Sequence, residues 1–249
     1  MKHNACIISF FMSNINVKTV EKQHAVVAKF NKSQYPHYAI HTDLRHGASM
    51  DLAWAMNGID HPTFRGHNIE KRFDHDIIFF LDIDALPLNE DAIDYYIDKA
   101  AEGKLIGNIQ NSNHIQNNKH LFAAPSAVAM SVDTFLTIGR PSALETRRAD
   151  VAEEYTYAAE ESKIVPIELL LPLRFDEAPA ECPHWTLREG MPVYGRGTTF
   201  GYGIGNQETV WHQFQSFHPG QQEKFWKKCD ELLGIKEETI VINTEGDSK

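Results

Sequence analysis

The segment Asp76-Ile77-Ile78-Phe79-Phe80-Leu81-Asp82-Ile83-Asp84 constrains the fold of this chain more than any other. An unbroken apolar run from Ile77 to Leu81 meets two aspartates one residue apart. Such a run predicts a strand buried on both faces, as in a largely parallel sheet. The carboxylates fall where that strand should end, and Ala85-Leu86-Pro87-Leu88 is expected to stop it. In open α/β sheets, ligands bind in the crevice at the carboxyl ends of strands. Two acids there make a small, hard, anionic site suited to Mg²⁺ or Mn²⁺, and through the ion to a phosphate. Strand-end aspartates also cap following helices, but capping alone does not account for two acids at a buried strand end.

The surrounding pattern supports an α/β chain. Ala5–Phe11 reads as a buried strand and Val17–Phe30 as a helix that ends before Ser33-Gln34-Tyr35-Pro36. Tyr38–Ile40 is a second strand, Ser49–Met56 a second helix, and Glu90–Ala101 a third helix with Asn89 as its N-cap. This β-α-β-α-β order predicts a mainly parallel sheet with right-handed crossovers. Further along, Leu105–Ile109, Leu121–Ala124 and Ile164–Leu171 read as strands. Ser131 caps a short helix to Ile138, a helix runs from Val151 to about Ser162, and Gly220–Leu233 forms a last amphipathic helix. Pro172–Gly205 is rich in Pro, Gly and aromatics and reads as a folded loop region, followed by alternation over Thr209–Phe217. No repeat or low-complexity linker divides the chain. Residues 1–104 are read as a ligand-binding half, 105–235 as a second half, and 236–249 as a tail.

Composition narrows the function. The net charge of −10 argues against a broad basic face for nucleic acid. Cys6, Cys182 and Cys229 are far apart, so neither a disulfide framework nor a zinc site is expected, and a reducing compartment is. No segment is long and apolar enough to span a membrane, and the tail is not a basic amphipathic anchor. The expected location is cytoplasmic.

With Asp82-Ile83-Asp84 ending a buried strand after a βαβα pattern, the first 90 or so residues resemble the nucleotide-sugar-binding half of GT-A glycosyltransferases. The resemblance implies a Rossmann-like, mostly parallel sheet flanked by helices in one catalytic domain. It implies Asp82 at the donor and metal, Asp84 directly on Mn²⁺ or Mg²⁺, and a nucleoside-diphosphate sugar, with a UDP-sugar the first expectation. The segment His46-Gly47-Ala48-Ser49…Asn57-Gly58-Ile59 is similar to the helix before the motif in many of these enzymes, which places Asn57 at the donor. Phe11, Ser13 and Asp43 follow strands whose carboxyl ends border the same crevice, and are expected near the base. A third metal ligand, commonly a histidine from the C-terminal part, is implied as well. His212 and His218 are the candidates. His212 would sit mid-strand between aromatics, on one face with Val210, Phe214 and Ser216. His218 resembles the His-x-x-Gly segment of glycogenin-type enzymes, without its spacing.

In Arg147-Arg148-Ala149-Asp150-Val151-Ala152-Glu153-Glu154 the acids suit the start of a helix. Many GT-A enzymes place an acid at such a helix start, so Asp150 and Glu153 are candidates for activating an acceptor hydroxyl. The polar cluster Gln110, Asn111, Asn113 and His114 could bond sugar hydroxyls. Trp185 and Trp211 could line an acceptor pocket, although Trp is more often core. The glycine-rich Tyr194–Gly203 segment could close over the site or be an irregular connection. The acceptor is expected to be a glycan, or a hydroxymethylated DNA base as in phage-type enzymes. For the latter, Arg140, Arg147, Arg148, Arg174, Arg188 and Arg196 would have to converge into a basic strip.

Two alternatives stand beside this reading. A HAD-type phosphatase also carries Asp-x-Asp after an apolar strand, with the first aspartate as nucleophile. Here the motif comes on the third strand, Asp84 is followed by Ala85-Leu86-Pro87, and no later paired-acid motif appears. A non-catalytic nucleotide-sugar-binding module is the other, and a binder has no need of a metal site.

Overall fold

The computed structural model describes residues 2–112, 120–170, 200–203, 207–213 and 220–235. Its main sheet has six strands: β1 (Ala5–Phe11), β2 (His37–His41), β3 (Ile77–Leu81), β5 (Leu105–Asn111), β6 (Leu121–Ser131) and β7 (Ile167–Leu170). They lie in the order β2-β1-β3-β6-β5-β7, and a second, three-stranded sheet has the order β4-β9-β8, from β4 (Ala85–Pro87), β8 (Phe200–Gly203) and β9 (Gln207–His212). In the main sheet β6 alone runs against its neighbours: β1 is parallel to β2 and β3, and β5 to β7. The sheet is therefore mixed and mostly parallel, with helices on both faces. It contains strands from both halves of the chain.

The central strands are buried on both faces, as the apolar run requires. Cys6, Ile8, Phe10, Ile78 and Phe80 face a cluster with Met50 and Trp54 of α2 (His46–Met56), Phe135 of α4 (Val132–Thr137) and Tyr155 of α5 (Glu153–Ser162). Ala5, Ile7, Ile77, Phe79 and Leu81 face the opposite layer, with Val27 of α1 (Val17–Phe30) and Ile93, Tyr96 and Ile97 of α3 (Ala92–Ala101). A third cluster joins Val26 of α1 and Leu86 of β4 to Phe225 and Cys229 of α6 (Gln221–Leu233). The chain starts α1 with an Asn16 side-chain cap on the Lys18 amide (2.9 Å), and α4 with Ser131 on the Thr134 amide (3.0 Å). None of the described helices is long and apolar enough to cross a membrane.

Several elements differ from the sequence expectation, among them β7, which starts at Ile167 rather than Ile164, and α5, which starts at Glu153 rather than Val151. Ala85-Leu86-Pro87 does not merely stop β3 but opens the second sheet as an edge strand, where proline costs no ladder bond. Strand β6 runs on to Ser131 rather than stopping at Ala124. Pro125 and Ser126 fall in a bulge, because the pairing jumps from Gly107↔Val128 to Asn108↔Ala124. The bulge presses on Gly107, where a Cβ would lie 2.7 Å from the Ala123 side chain. Helix α3 starts at Ala92, with Asn89 bonding the Asp91 amide (3.1 Å) in the turn before it. Helix α2 starts at His46, three residues before the expected Ser49. Its first turn packs so tightly that a Cβ on Gly47 would lie 2.3 Å from the Ala143 carbonyl oxygen.

On the outer edge, His37 of β2 and His24 of α1 meet through their Nδ1 atoms at 3.2 Å, and the other His37 nitrogen lies 3.1 Å from Ser9 Oγ. Burial, and then the charge of His24, push the His37 imidazole down to about 3. An unfolded histidine titrates near 6.5, so between these values the unfolded chain binds a proton that the native chain does not. Stability contributed here is complete above about pH 6.5 and is lost as pH falls toward 3. In urea unfolding between pH 7 and 5, His37→Asn should flatten the acid-side loss by up to about 1.4 kcal/mol per pH unit. An identical slope in the variant would contradict this account.

Candidate metal centre and adjoining cavity

Asp82 and Asp84 lie in the turn where the chain leaves the main sheet for the second. Three backbone contacts fix that turn. The Asp82 amide donates to the Ser126 carbonyl of the β6 bulge (3.1 Å), the Ala85 amide donates to the Asp82 carbonyl (2.9 Å), and the Gln213 amide donates to the Asp84 carbonyl (2.9 Å). Buried Gln23 of α1 adds a side-chain clamp, donating to the carbonyls of Asp82 (2.6 Å) and Ala85 (3.2 Å). The antiparallel pairing of β4 with β9 sets Ala85 opposite His212.

This register carries His212 onto the aspartates. Its Nε2 is 3.1 Å from Asp84 Oδ1 and 3.8 Å from Asp82 Oδ2, and ligand atoms of all three residues lie within 4.8 Å of one another. Among the described residues these three are the group of histidine, cysteine or acidic side chains that could hold a metal ion. Two carboxylate oxygens and one imidazole nitrogen fit Mn²⁺ or Mg²⁺ chemically. The 3.1 Å separation also fits: adjacent octahedral ligands at about 2.1 Å from an ion stand roughly 3 Å apart.

The electrostatics match a cation site. Burial holds the Asp82 carboxyl above its usual range. The charge of Asp84 adds to that, while His46, His212 and the Ile83 amide oppose it. Burial would lower the His212 imidazole, but the charge and hydrogen bond of Asp84 and the charge of Asp82 outweigh it and hold it above its ordinary value. Two neighbouring carboxylates, one buried and one half-buried, gather negative charge that His212 offsets in part and a divalent ion would offset further.

A cavity of about 210 Å³ opens over these residues. Its lining combines Asp82, Ile83, Asp84, His212, His46 and Ser49 with the largely apolar set Phe10, Phe11, Met12, Ile15, Thr42 and Leu44. Ser13 and Asp43 are not in the lining but flank it in sequence: exposed Asp43, between Thr42 and Leu44, accepts at Oδ1 both the amide (3.2 Å) and the hydroxyl (2.8 Å) of Ser13, which hold its carboxyl below the usual range. His41 lies 3.1 Å from the same hydroxyl.

Other expected residues stand elsewhere. Asn57 is not at this cavity: its side chain donates to the His75 carbonyl (2.8 Å) and accepts from the His75 amide (2.9 Å), tying the end of α2 to the approach to β3. Trp211 alternates with His212 on β9 and stacks on Phe225, so it belongs to the core. Glu153 is fully buried, and its carboxylate takes the Ser112 hydroxyl (2.7 Å), the Asp150 amide (2.6 Å) and His120 Nδ1 (2.6 Å). A carboxylate held by three donors in the interior pins the start of α5 and does not face an acceptor. Burial would lower His120, but Glu153 and Glu160 outweigh it and hold it raised. Asp150 is half-buried at the entry to α5, in the segment that packs on the first turn of α2 through Ala143. Gln110 is half-buried on β5. Arg148 is tied to Glu154 (2.7 Å) and Glu161 (2.6 Å), and Arg140 to the Asp60 carbonyl (2.8 Å), so neither is free for a phosphate strip. Arg147 is exposed. His218, Asn113, His114, Trp185, Arg174, Arg188, Arg196, Cys182, residues 194–199 and the 236–249 tail lie outside the described residues, as does the side chain of Asn111. The sequence reading missed Gln23 and Ser126, and it named His46 only as the start of the segment similar to the helix before the motif, without a role of its own.

No family model matches the chain, and no curated protein matches it. Several solved structures show a distant similarity to the chain. A Drosophila β1,4-galactosyltransferase 7 mutant in complex with manganese, UDP-Gal and xylobiose shares 10% identity over 90% of this chain and 79% of its own, with a TM-score of 0.45. LgtC shares 13% over 92% of this chain and 95% of its own, with a TM-score of 0.43. A glycosyltransferase involved in glycosylation of the major capsid of PBCV-1 shares 9% over 91% of this chain and 99% of its own, with a TM-score of 0.42.

The geometry generates a direct expectation. In calorimetry with Mn²⁺, Asp84→Asn and His212→Ala should each weaken the ion by about 100-fold or more, beyond the 10–100-fold seen for groups that only support a ligand. Thermal unfolding should show both variants folded. Wild-type affinity in both would remove the centre.

Proposed function

We propose that this chain is a metal-dependent glycosyltransferase that moves a sugar from a nucleoside-diphosphate sugar to an acceptor hydroxyl. One observation carries the proposal. An Asp-Asp-His cluster suited to a divalent ion shares a cavity, at the carboxyl end of the central strand, with an apolar wall of nucleobase character. Asp82, Asp84 and His212 would hold Mn²⁺ or Mg²⁺, which supplies Lewis-acid neutralisation of the leaving diphosphate. The neutral imidazole adds a ligand without adding negative charge against the phosphates. Phe11, Met12, Ile15 and Leu44 supply apolar surface for the base.

Asp43, which lies in sequence between the lining residues Thr42 and Leu44, is the candidate base contact, and its carboxylate favours uracil. Ser13 occupies its Oδ1 twice, which leaves Oδ2 to accept one ring N–H. Uracil presents a single imide N–H, whereas guanine presents an adjacent pair that calls for both oxygens. We therefore assign a UDP-sugar donor. Residues 1–104 then supply the donor wall and both aspartates, and 105–235 supply His212 and the acceptor side. On that side Asp150 is the candidate to take the proton of the attacking hydroxyl, because its segment leans on the helix that borders the cavity. A glycan acceptor suits the net charge of −10 and the engaged state of Arg140 and Arg148 better than DNA does.

The test is release of UDP from UDP-glucose, UDP-galactose and UDP-N-acetylglucosamine, with water or oligosaccharides as acceptor. Release that requires Mn²⁺ and is lost in Asp84→Asn supports the assignment. No release from any UDP- or GDP-sugar, despite tight Mn²⁺ binding, would favour a binding module.

A further inference from the structure

His46 is the first residue of α2 and stands half-buried in the lining of the cavity over the metal centre. It is not one of the three side chains whose ligand atoms fall within 4.8 Å of one another. Its position is nevertheless fixed. Gly47 lies against the Ala143 backbone, and Ser49 Oγ donates to the Arg45 carbonyl (3.2 Å). Buried Asp51 takes Thr63 Oγ1 (2.6 Å), Ser142 Oγ (2.6 Å) and the Ala143 amide (2.7 Å), locking the helix to the 139–152 segment. The first turn of α2 therefore cannot slide along the cavity without breaking buried bonds. His46 and Asp82 both line this cavity, so the imidazole and the carboxylate border one space.

The chemistry of that space selects its occupant. A carboxylate only accepts hydrogen bonds, while an imidazole N–H donates. A hydroxyl satisfies both at once, accepting from His46 and donating to Asp82. A phosphate oxygen satisfies His46 but meets Asp82 as a like charge. An apolar group leaves both unpaired. An aspartate with one oxygen on a metal ion keeps the other for such a bond.

Building on the donor-site reading above, we infer that His46 and Asp82 clamp a donor hydroxyl between them, making His46 a specificity-determining contact that the Asp-x-Asp motif does not reveal. The hydroxyl belongs either to the ribose or to the transferred sugar, and both present the same chemistry.

Calorimetry with Mn²⁺ present tests the clamp in wild type, His46→Ala and His46→Gln. The probes are UDP, 2′,3′-dideoxy-UDP, and the tightest binder among UDP-glucose, UDP-galactose and UDP-N-acetylglucosamine. His46→Ala should weaken the ligand that carries the clamped hydroxyl by about tenfold, the scale of one hydrogen bond to a partly charged pair. Weakening of both UDP and the UDP-sugar identifies the ribose, and weakening of the UDP-sugar alone identifies the transferred sugar. In either case Mn²⁺ and 2′,3′-dideoxy-UDP should bind the variant as they bind wild type, and His46→Gln, which retains an N–H donor, should recover part of the loss. Equal affinity of His46→Ala and wild type for UDP and the UDP-sugar overturns the clamp and leaves the donor site standing. Equal weakening toward 2′,3′-dideoxy-UDP also overturns it, because the contact is then not to a ribose or sugar hydroxyl. If wild type binds Mn²⁺ but none of these nucleotides, the donor-site reading falls and the clamp with it.

Discussion

The candidate centre depends on one short ladder, the antiparallel pairing of β4 with β9. His212 lies 128 residues after Asp84, and nothing local in the chain holds them together. The ladder does so by setting Ala85 against His212, and the Gln213 amide extends it to the Asp84 carbonyl. Gln23 reaches from α1 to the carbonyls of Asp82 and Ala85, while the Ser126 carbonyl in the β6 bulge takes the Asp82 amide. The turn is thus held from three directions before any ligand enters. Leu86, one residue beyond, packs into the cluster of α1 and α6, so the placement of β4 is a matter of core packing as well as of hydrogen bonds.

The arrangement is costly for a protein without an ion. Burying two carboxylates side by side raises the free energy of their charged forms, and a histidine can offset only part of that by holding a proton. The shifts of Asp82 and His212 express this tension from the two partners' sides. Compare buried Asp51, which is likewise withdrawn from water but answered by two hydroxyls and a backbone amide. Asp51 is a fastener. Asp82 and Asp84 line a cavity together with His212, which is where a protein keeps charge for something that arrives from outside.

The sequence disclosed the parts whose physics is local. An apolar run ending in two acids predicted a doubly buried strand ending at a site, and helix α1 follows its apolar spacing. The alternation through Val210 and His212 marked a strand face, and the resemblance implied a late histidine, His212 or His218. What stayed hidden depends on partners distant in the chain. Ala85-Leu86-Pro87 looks like a terminator until β9 is beside it. Pro125 argues against a central strand until the bulge excuses it. Glu153 reads as a helix-start acid open to an acceptor, but Ser112 and His120 close over it, and those partners lie outside its own segment. Asn57 reads as a donor contact because its segment resembles one, yet its amide is consumed by the backbone of His75. His46 was given no role of its own for the same reason in reverse: its neighbour across the cavity is Asp82, on a different strand.

The convergence of Asp82, Asp84 and His212 on one ion is the claim on which the rest stands, and pulsed electron paramagnetic resonance of bound Mn²⁺ tests it most directly. Imidazole coordination couples the manganese spin to a directly bound nitrogen. The account predicts nitrogen coupling from a single histidine in the wild-type protein, absent in His212→Ala although carboxylate-bound Mn²⁺ can still be loaded at high concentration. Mn²⁺ bound without nitrogen coupling, or coupling that survives the loss of His212, would contradict it.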